Sequence, residues 1–118
     1  MGFYGFIGHI FYSDLVAYFI GWPPNSPFQF EVGIANLTLG VLGTFCIWLR
    51  GNFWVATVIA NAIMGFGGAT GHVLQMVFHA NYAPGNTGLI LYIDIFAPIL
   101  GIVLLLAYLN AKKFPEGV

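Results

Sequence analysis

Apolar runs of roughly twenty residues alternate with short breaks rich in proline, glycine and asparagine, and this alternation divides the chain into four segments. A helix needs about 20 residues to cross about 30 Å of hydrocarbon, so each segment has the length of one crossing. The first runs from about Phe3 to Trp22 and stops at Pro23-Pro24-Asn25-Ser26-Pro27, because a proline pair cannot continue a helix. The second runs from about Phe28 to Arg50, and Gly51-Asn52 reverses the chain. The third runs from about Phe53 to Ala80, ahead of the turn Asn81-Tyr82-Ala83-Pro84-Gly85-Asn86, and the fourth from about Thr87 to Ala111. Strands are disfavoured: a lipid-spanning sheet must close into a barrel of short alternating segments, and these runs are long, glycine-rich and not alternating.

Composition makes the membrane the expected solvent. Soluble domains are about a quarter charged, whereas this chain of 118 residues is 6% charged and 59% hydrophobic, with a mean hydropathy of +0.88. Residues 1–118 are therefore expected to form a single transmembrane domain, an all-α, antiparallel four-helix bundle. The first apolar stretch lacks the basic n-region of a cleavable signal and is expected to stay as a helix. Its early start also fits a longer native N-terminus. With only Arg50, Lys112 and Lys113 as basic residues, the chain cannot neutralise a nucleic-acid backbone. Those residues fall between the second and third helices and after the fourth, which predicts both termini on the cytoplasmic side of the cell membrane. The lone Cys46 lies in an apolar run and reads as a small buried hydrophobe.

Small and polar residues recur at helical spacing. The second helix carries Gly33, Asn36, Gly40 and Gly43; the third carries Asn61, Gly65, Gly68, His72, Gln75 and His79, with Gly67 and Gly71 on a neighbouring face. Such seams let helix backbones approach in lipid. Against them stand costly groups: Asp14, Glu31 and Asp94 fall within predicted spans, where ionisable side chains cost on the order of 2.5 to 3.5 kcal/mol each. At 1.5 Å per residue from the outer helix ends, Glu31 lies about 5 Å deep, Asp14 and Asp94 about 10 Å, and His72 about 12 Å, with Gln75 between. All four helices thus deliver polar groups to one outer layer. Pro98 adds to it by leaving the carbonyl of Asp94 without its usual helical partner.

Two readings of that layer stand side by side. In the first, Asp14, Glu31, Asn36, His72, Gln75 and Asp94 line an outward-facing pocket that binds or passes a small polar molecule, an ion or a proton. A divalent metal such as zinc, iron or manganese is a variant of it, with His72, Glu31 and Asp94 as candidate ligands, although no Glu-x-x-His or His-x-x-x-His pair is present. In the second, the polar groups glue helices together and the apolar exterior docks on a larger membrane complex or on further copies of the chain. Catalysis by this chain alone is the least supported class, since it holds no nucleophile with its base, no phosphate-cradling loop and no haem or Fe–S ligand set.

The stretch Ser26-Pro-Phe-Gln-Phe-Glu-Val-Gly-Ile-Ala-Asn36, Gly71-His-Val-Leu-Gln75, and Asn81-Tyr-Ala-Pro-Gly-Asn86 with Tyr92 and Asp94 resembles an uncharacterised family of small bacterial and archaeal four-helix membrane proteins. Gly21-Trp22 agrees with it. In size and helix layout that family is similar to the DoxX-like proteins, some of which are accessory subunits of membrane oxidoreductases. The resemblance implies the helical membrane fold and singles out Glu31, Asn36, His72, Gln75 and Asp94; it implies no assigned activity.

Overall fold

The computed structural model describes residues 2–113, and every element among them is helical. In chain order these are α1 (Gly2–Phe11), α2 (Ser13–Ile20), α3 (Ser26–Phe45), α4 (Asn52–His79), α5 (Pro84–Thr87) and α6 (Leu89–Lys113). Local chemistry sets most of the boundaries. Asn25 caps α3 by accepting the Phe28 N–H at 3.2 Å, and Pro27 occupies the first turn, where a missing N–H costs nothing. Gly21, at φ +79°, takes the left-handed conformation that closes α2. Ala80 closes α4 in the same region, at φ +49°, without glycine's freedom.

The expected single helix from about Phe3 to Trp22 is instead two, bent by 108° where Tyr12 leaves helical geometry. Tyr12 takes the N-cap position without a side-chain cap bond, and the break places Asp14 in the first turn of α2, where the helix dipole favours a carboxylate. Asp14 stays exposed as a result. The second expected helix ends at Phe45 and not Arg50, and its last carbonyls are taken up by turns through Cys46–Leu49.

By length and composition α4 and α6 can each cross a membrane, with α5 continuing the second of these spans, and α1 with α2 passes only as a bent pair. α3 is 20 residues long, but Gln29, Glu31 and Asn36 dilute its apolar character, and it does not qualify alone.

Packing is concentrated in two helix pairs, α1 against α3 and α4 against α6. α3 and α4 meet weakly, and among the described residues α1 closely approaches neither α4 nor α6. The Cα trace accordingly measures 60 × 28 × 16 Å, a slab with open edges. Glycine permits both close pairings. Gly40 would bring a Cβ within 3.1 Å of the Phe3 backbone nitrogen, and Gly65 within 2.9 Å of the Asp94 carbonyl.

The interior inverts the soluble pattern. Gln29, Asn36, Thr57, His72, Asn86 and Asp94 are buried alongside only a few apolar side chains, such as Ala17, Ala62 and Leu91. Large apolar residues, among them Ile63, Val77, Phe78, Leu89, Phe96 and Leu104, point outward. An exterior this apolar is stable against hydrocarbon and not against water.

Candidate functional site

His72, in the C-terminal third of α4, is buried at the junction of α4, α5 and α6. Its Nδ1 lies 2.7 Å from Asn86 Oδ1. Asn86 is itself completely buried, and its Nδ2 donates to two backbone carbonyls, His72 at 3.1 Å and Asn81 at 2.8 Å. Carbonyls only accept, so the amide orientation is determined, and Oδ1 is the atom that faces the imidazole. The imidazole Nδ1 must therefore carry a hydrogen and donate it. That leaves Nε2 as the exchangeable position.

Nε2 faces Asp94 Oδ2 at 3.7 Å, within ion-pair range but long for a direct hydrogen bond. With Nδ1 protonated, a bare Nε2 lone pair would oppose a buried carboxylate, which no other cation among the described residues neutralises. One proton shared by the couple removes the conflict, whether as imidazolium and carboxylate or as imidazole and carboxylic acid. Gly68 makes room for the acid, since a Cβ there would stand 2.6 Å from Oδ2. Pro98 frees the Asp94 carbonyl, and Gly65 brings the α4 backbone against it. The other carboxylate oxygen, Oδ1, is buried without a partner.

Two spaces flank the couple. On one side an open groove of about 570 Å³ is lined by Gly21, Trp22, Asn25, Gln75, His79 and Asn81, among others. Trp22 belongs to that groove and stacks on the His72 ring with centroids 6.5 Å apart. Asn81 holds the groove together by donating to the carbonyls of Ile20 and Gly21 at 2.9 and 3.3 Å. On the other side a cavity of about 260 Å³ lies between α3, α4 and α6, and Asp94 and Asn61 are its polar lining. Reading along one face of α4, His79 and Gln75 line the groove, His72 the couple, and Gly65 and Asn61 the cavity.

Of the residues singled out by sequence, His72 and Asp94 are brought together. Gln75 lies a turn away in the groove, in company with His79. Asn36 is buried elsewhere, against Gly5 of α1, with its amide donating to the Val32 carbonyl one turn back in its own helix. Glu31 and Asp14 are exposed and join neither space. The described residues contain no group of three or more His, Cys, Asp or Glu side chains placed to hold a metal, so His72 and Asp94 stand as a pair without Glu31.

Sequence reasoning missed Asn86, which it read as turn chemistry, and Trp22, which it read as a helix end. It also missed the contact between His9 Nδ1 and Gln29 Oε1 that joins α1 to α3. The available signal was the pair of asparagines, Asn81 and Asn86, five residues apart in a loop short enough for both amides to reach neighbouring backbone.

No curated protein and no solved structure matches the chain. Residues 1–114, all but the last few, match the family model described as "Family of unknown function (DUF6790)". The chain therefore belongs to that family of unknown function.

Proposed function

We propose that this is a multi-pass protein of the cell membrane in which the His72–Asp94 couple holds a proton taken from the outer side. The bent α1–α2 pair and α3 supply the remaining crossings of a four-helix arrangement, and both termini are cytoplasmic. The observation that carries this reading is the Asn86 contact, which commits Nδ1 as donor and turns Nε2 toward Asp94. A couple sharing one proton is neutral overall, the one charge state that hydrocarbon tolerates cheaply. Trp22 then stands between the couple and the groove, on the route that a proton or small polar species takes inward.

Orientation is supported at the opposite end. Arg50 lies over the Trp54 ring, Lys112 over Tyr108, and the two rings pack with centroids 4.8 Å apart, which gathers these cations at one end of the molecule. That end takes the cytoplasmic side by the bias of basic residues, and the groove takes the outer side. Tyr12 just before α2, Tyr18 on it and Trp22 just after it suit the headgroup layer.

A second reading has its own observation. The slab leaves wide apolar faces uncovered, as suits an accessory subunit of a larger membrane complex or an oligomer.

Trp22 fluorescence tests the first reading, because a stacked imidazolium quenches indole. In vesicles containing the Trp48→Phe, Trp54→Phe protein, changing only the external pH should titrate the emission. The titration should vanish in His72→Gln and Asp94→Asn. Emission indifferent to external pH would contradict a couple fed from the groove.

A further inference from the structure

Four side chains form a column at the end of the molecule away from the groove. Arg50 Cζ lies 5.7 Å from the centre of the Trp54 ring, Trp54 and Tyr108 pack with centroids 4.8 Å apart, and Lys112 Nζ lies 5.2 Å from the centre of Tyr108. The column is anchored on three helices. The Trp54 indole N–H donates to the Cys46 carbonyl at 2.9 Å, which ties the first turn of α4 to the end of α3, and Tyr108 brings in α6. Its two cations are nevertheless unused. Both are exposed, and among the described residues neither donates a side-chain hydrogen bond or meets a carboxylate. A ring face positions a cation without occupying its N–H groups, so the guanidinium edge stays free to donate to an anion. The start of α4 adds to the positive field, since its N-cap Gly51 offers no side-chain acceptor and no acid stands in its first turn.

The surroundings of Arg50 select the carrier of that anion. Ile47, Trp48 and Leu49, the three residues before it, are 64%, 67% and 48% exposed. A turn with three outward apolar side chains suits acyl chains and the lipid boundary, not open water. We infer that this turn and the column form a docking site for an anionic phospholipid, whose phosphate accepts from Arg50 and whose chains lie against Ile47, Trp48 and Leu49. Lys112, across the two rings, adds attraction for net negative charge. A zwitterionic headgroup carries its own cation beside the phosphate, which Arg50 and Lys112 repel, so the anionic lipid is preferred.

The inference rests on the membrane placement of this end and on neither partner of the His72–Asp94 couple, and its test separates the two. The full chain carrying Trp22→Phe and Trp48→Phe, with Trp54 as its remaining indole, is reconstituted in phosphatidylcholine vesicles containing rising fractions of phosphatidylglycerol. One lipid or the other carries bromine on the upper acyl chain, and quenching reports which of them lies beside Trp54. Phosphatidylglycerol should be preferred by about fivefold or more, the attraction of one basic residue at a membrane surface. Arg50→Gln should abolish the preference and Lys112→Gln should reduce it; both side chains are exposed, so both variants fold. Glu116, outside the described residues, is the one acid after Asp94, and Glu116→Gln should leave the preference in place. Equal quenching by the two lipids, a preference undiminished in both cation variants, or one that emerges only in Glu116→Gln would each overturn the inference and leave the proton reading standing. Quenching by neither lipid would overturn the membrane placement of this end as well.

Discussion

At the α1/α3 interface the buried polar side chains are uncharged amides that serve contact: Gln29 meets His9, and Asn36 spends its N–H on the Val32 carbonyl of its own helix. At the α4/α6 interface, equally reliant on glycine for close approach, the buried groups reach across elements and include an acid: His72 on α4, Asn86 on α5 and Asp94 on α6. The contrast separates polar burial that packs helices from polar burial that sets an imidazole against an acid. What distinguishes them is whether one side chain bonds several groups at once, as Asn86 does with the His72 ring and the His72 and Asn81 carbonyls, or makes a single contact, as Gln29 and Asn36 do.

The largest effect should come from Asn86→Ala. It removes three hydrogen bonds together, buried ones to the His72 ring and the His72 carbonyl and a part-buried one to the Asn81 carbonyl, and should destabilise the protein by about 3 kcal/mol or more in an SDS-unfolding titration from mixed micelles. Gly68→Ala comes next. Its methyl would crowd Asp94 Oδ2, costing about 1 to 3 kcal/mol. On the same helix Gly67 and Gly71 have open space where a Cβ would stand, so their alanine variants should unfold within about 0.5 kcal/mol of the parent or slightly later. A Gly67→Ala penalty as large as that of Gly68→Ala would mean that the glycines act through a helix contact at Gly67 as well, and not through room for the acid.

Asn36→Leu tests the other interface. Because its side-chain bond is local and its Oδ1 already lacks a partner, an apolar side chain of similar size should shift stability by less than about 1 kcal/mol in either direction. A loss approaching that of Asn86→Ala would erase the distinction between the two interfaces. Smallest of all, Ala80→Gly should stabilise by about 0.5 kcal/mol, because alanine holds a left-handed backbone at the end of α4 that glycine adopts freely.

The helical character and the α4 and α6 spans were legible because apolar length and glycine-proline punctuation act locally. The α1–α2 bend was not: Tyr12 offers no side-chain cap, apolar residues continue on both sides of it, and only the three-dimensional course of the chain shows that the helix gives way there. For the site, depth counting places His72 and Asp94 at one level, and the structure puts them face to face. The same counting sets Asp14 and Glu31 at that level too, yet depth says nothing about azimuth, and both residues turn away from the couple. Asn86 was hidden for a further reason. Turn propensity already explains an asparagine after Pro-Gly, so its pairing with Asn81 in the same short loop was the one sign that its amide reaches backbone.

The central claim concerns one hydrogen on one ring, and ¹⁵N NMR of the histidine-labelled protein in lipid nanodiscs observes it directly. The account predicts that His72 Nδ1 stays protonated across the whole pH range in which the protein is folded, with only Nε2 exchanging its proton, and that this assignment is lost in Asn86→Ala. A His72 whose neutral form carries the proton on Nε2, with Nδ1 bare, would contradict it.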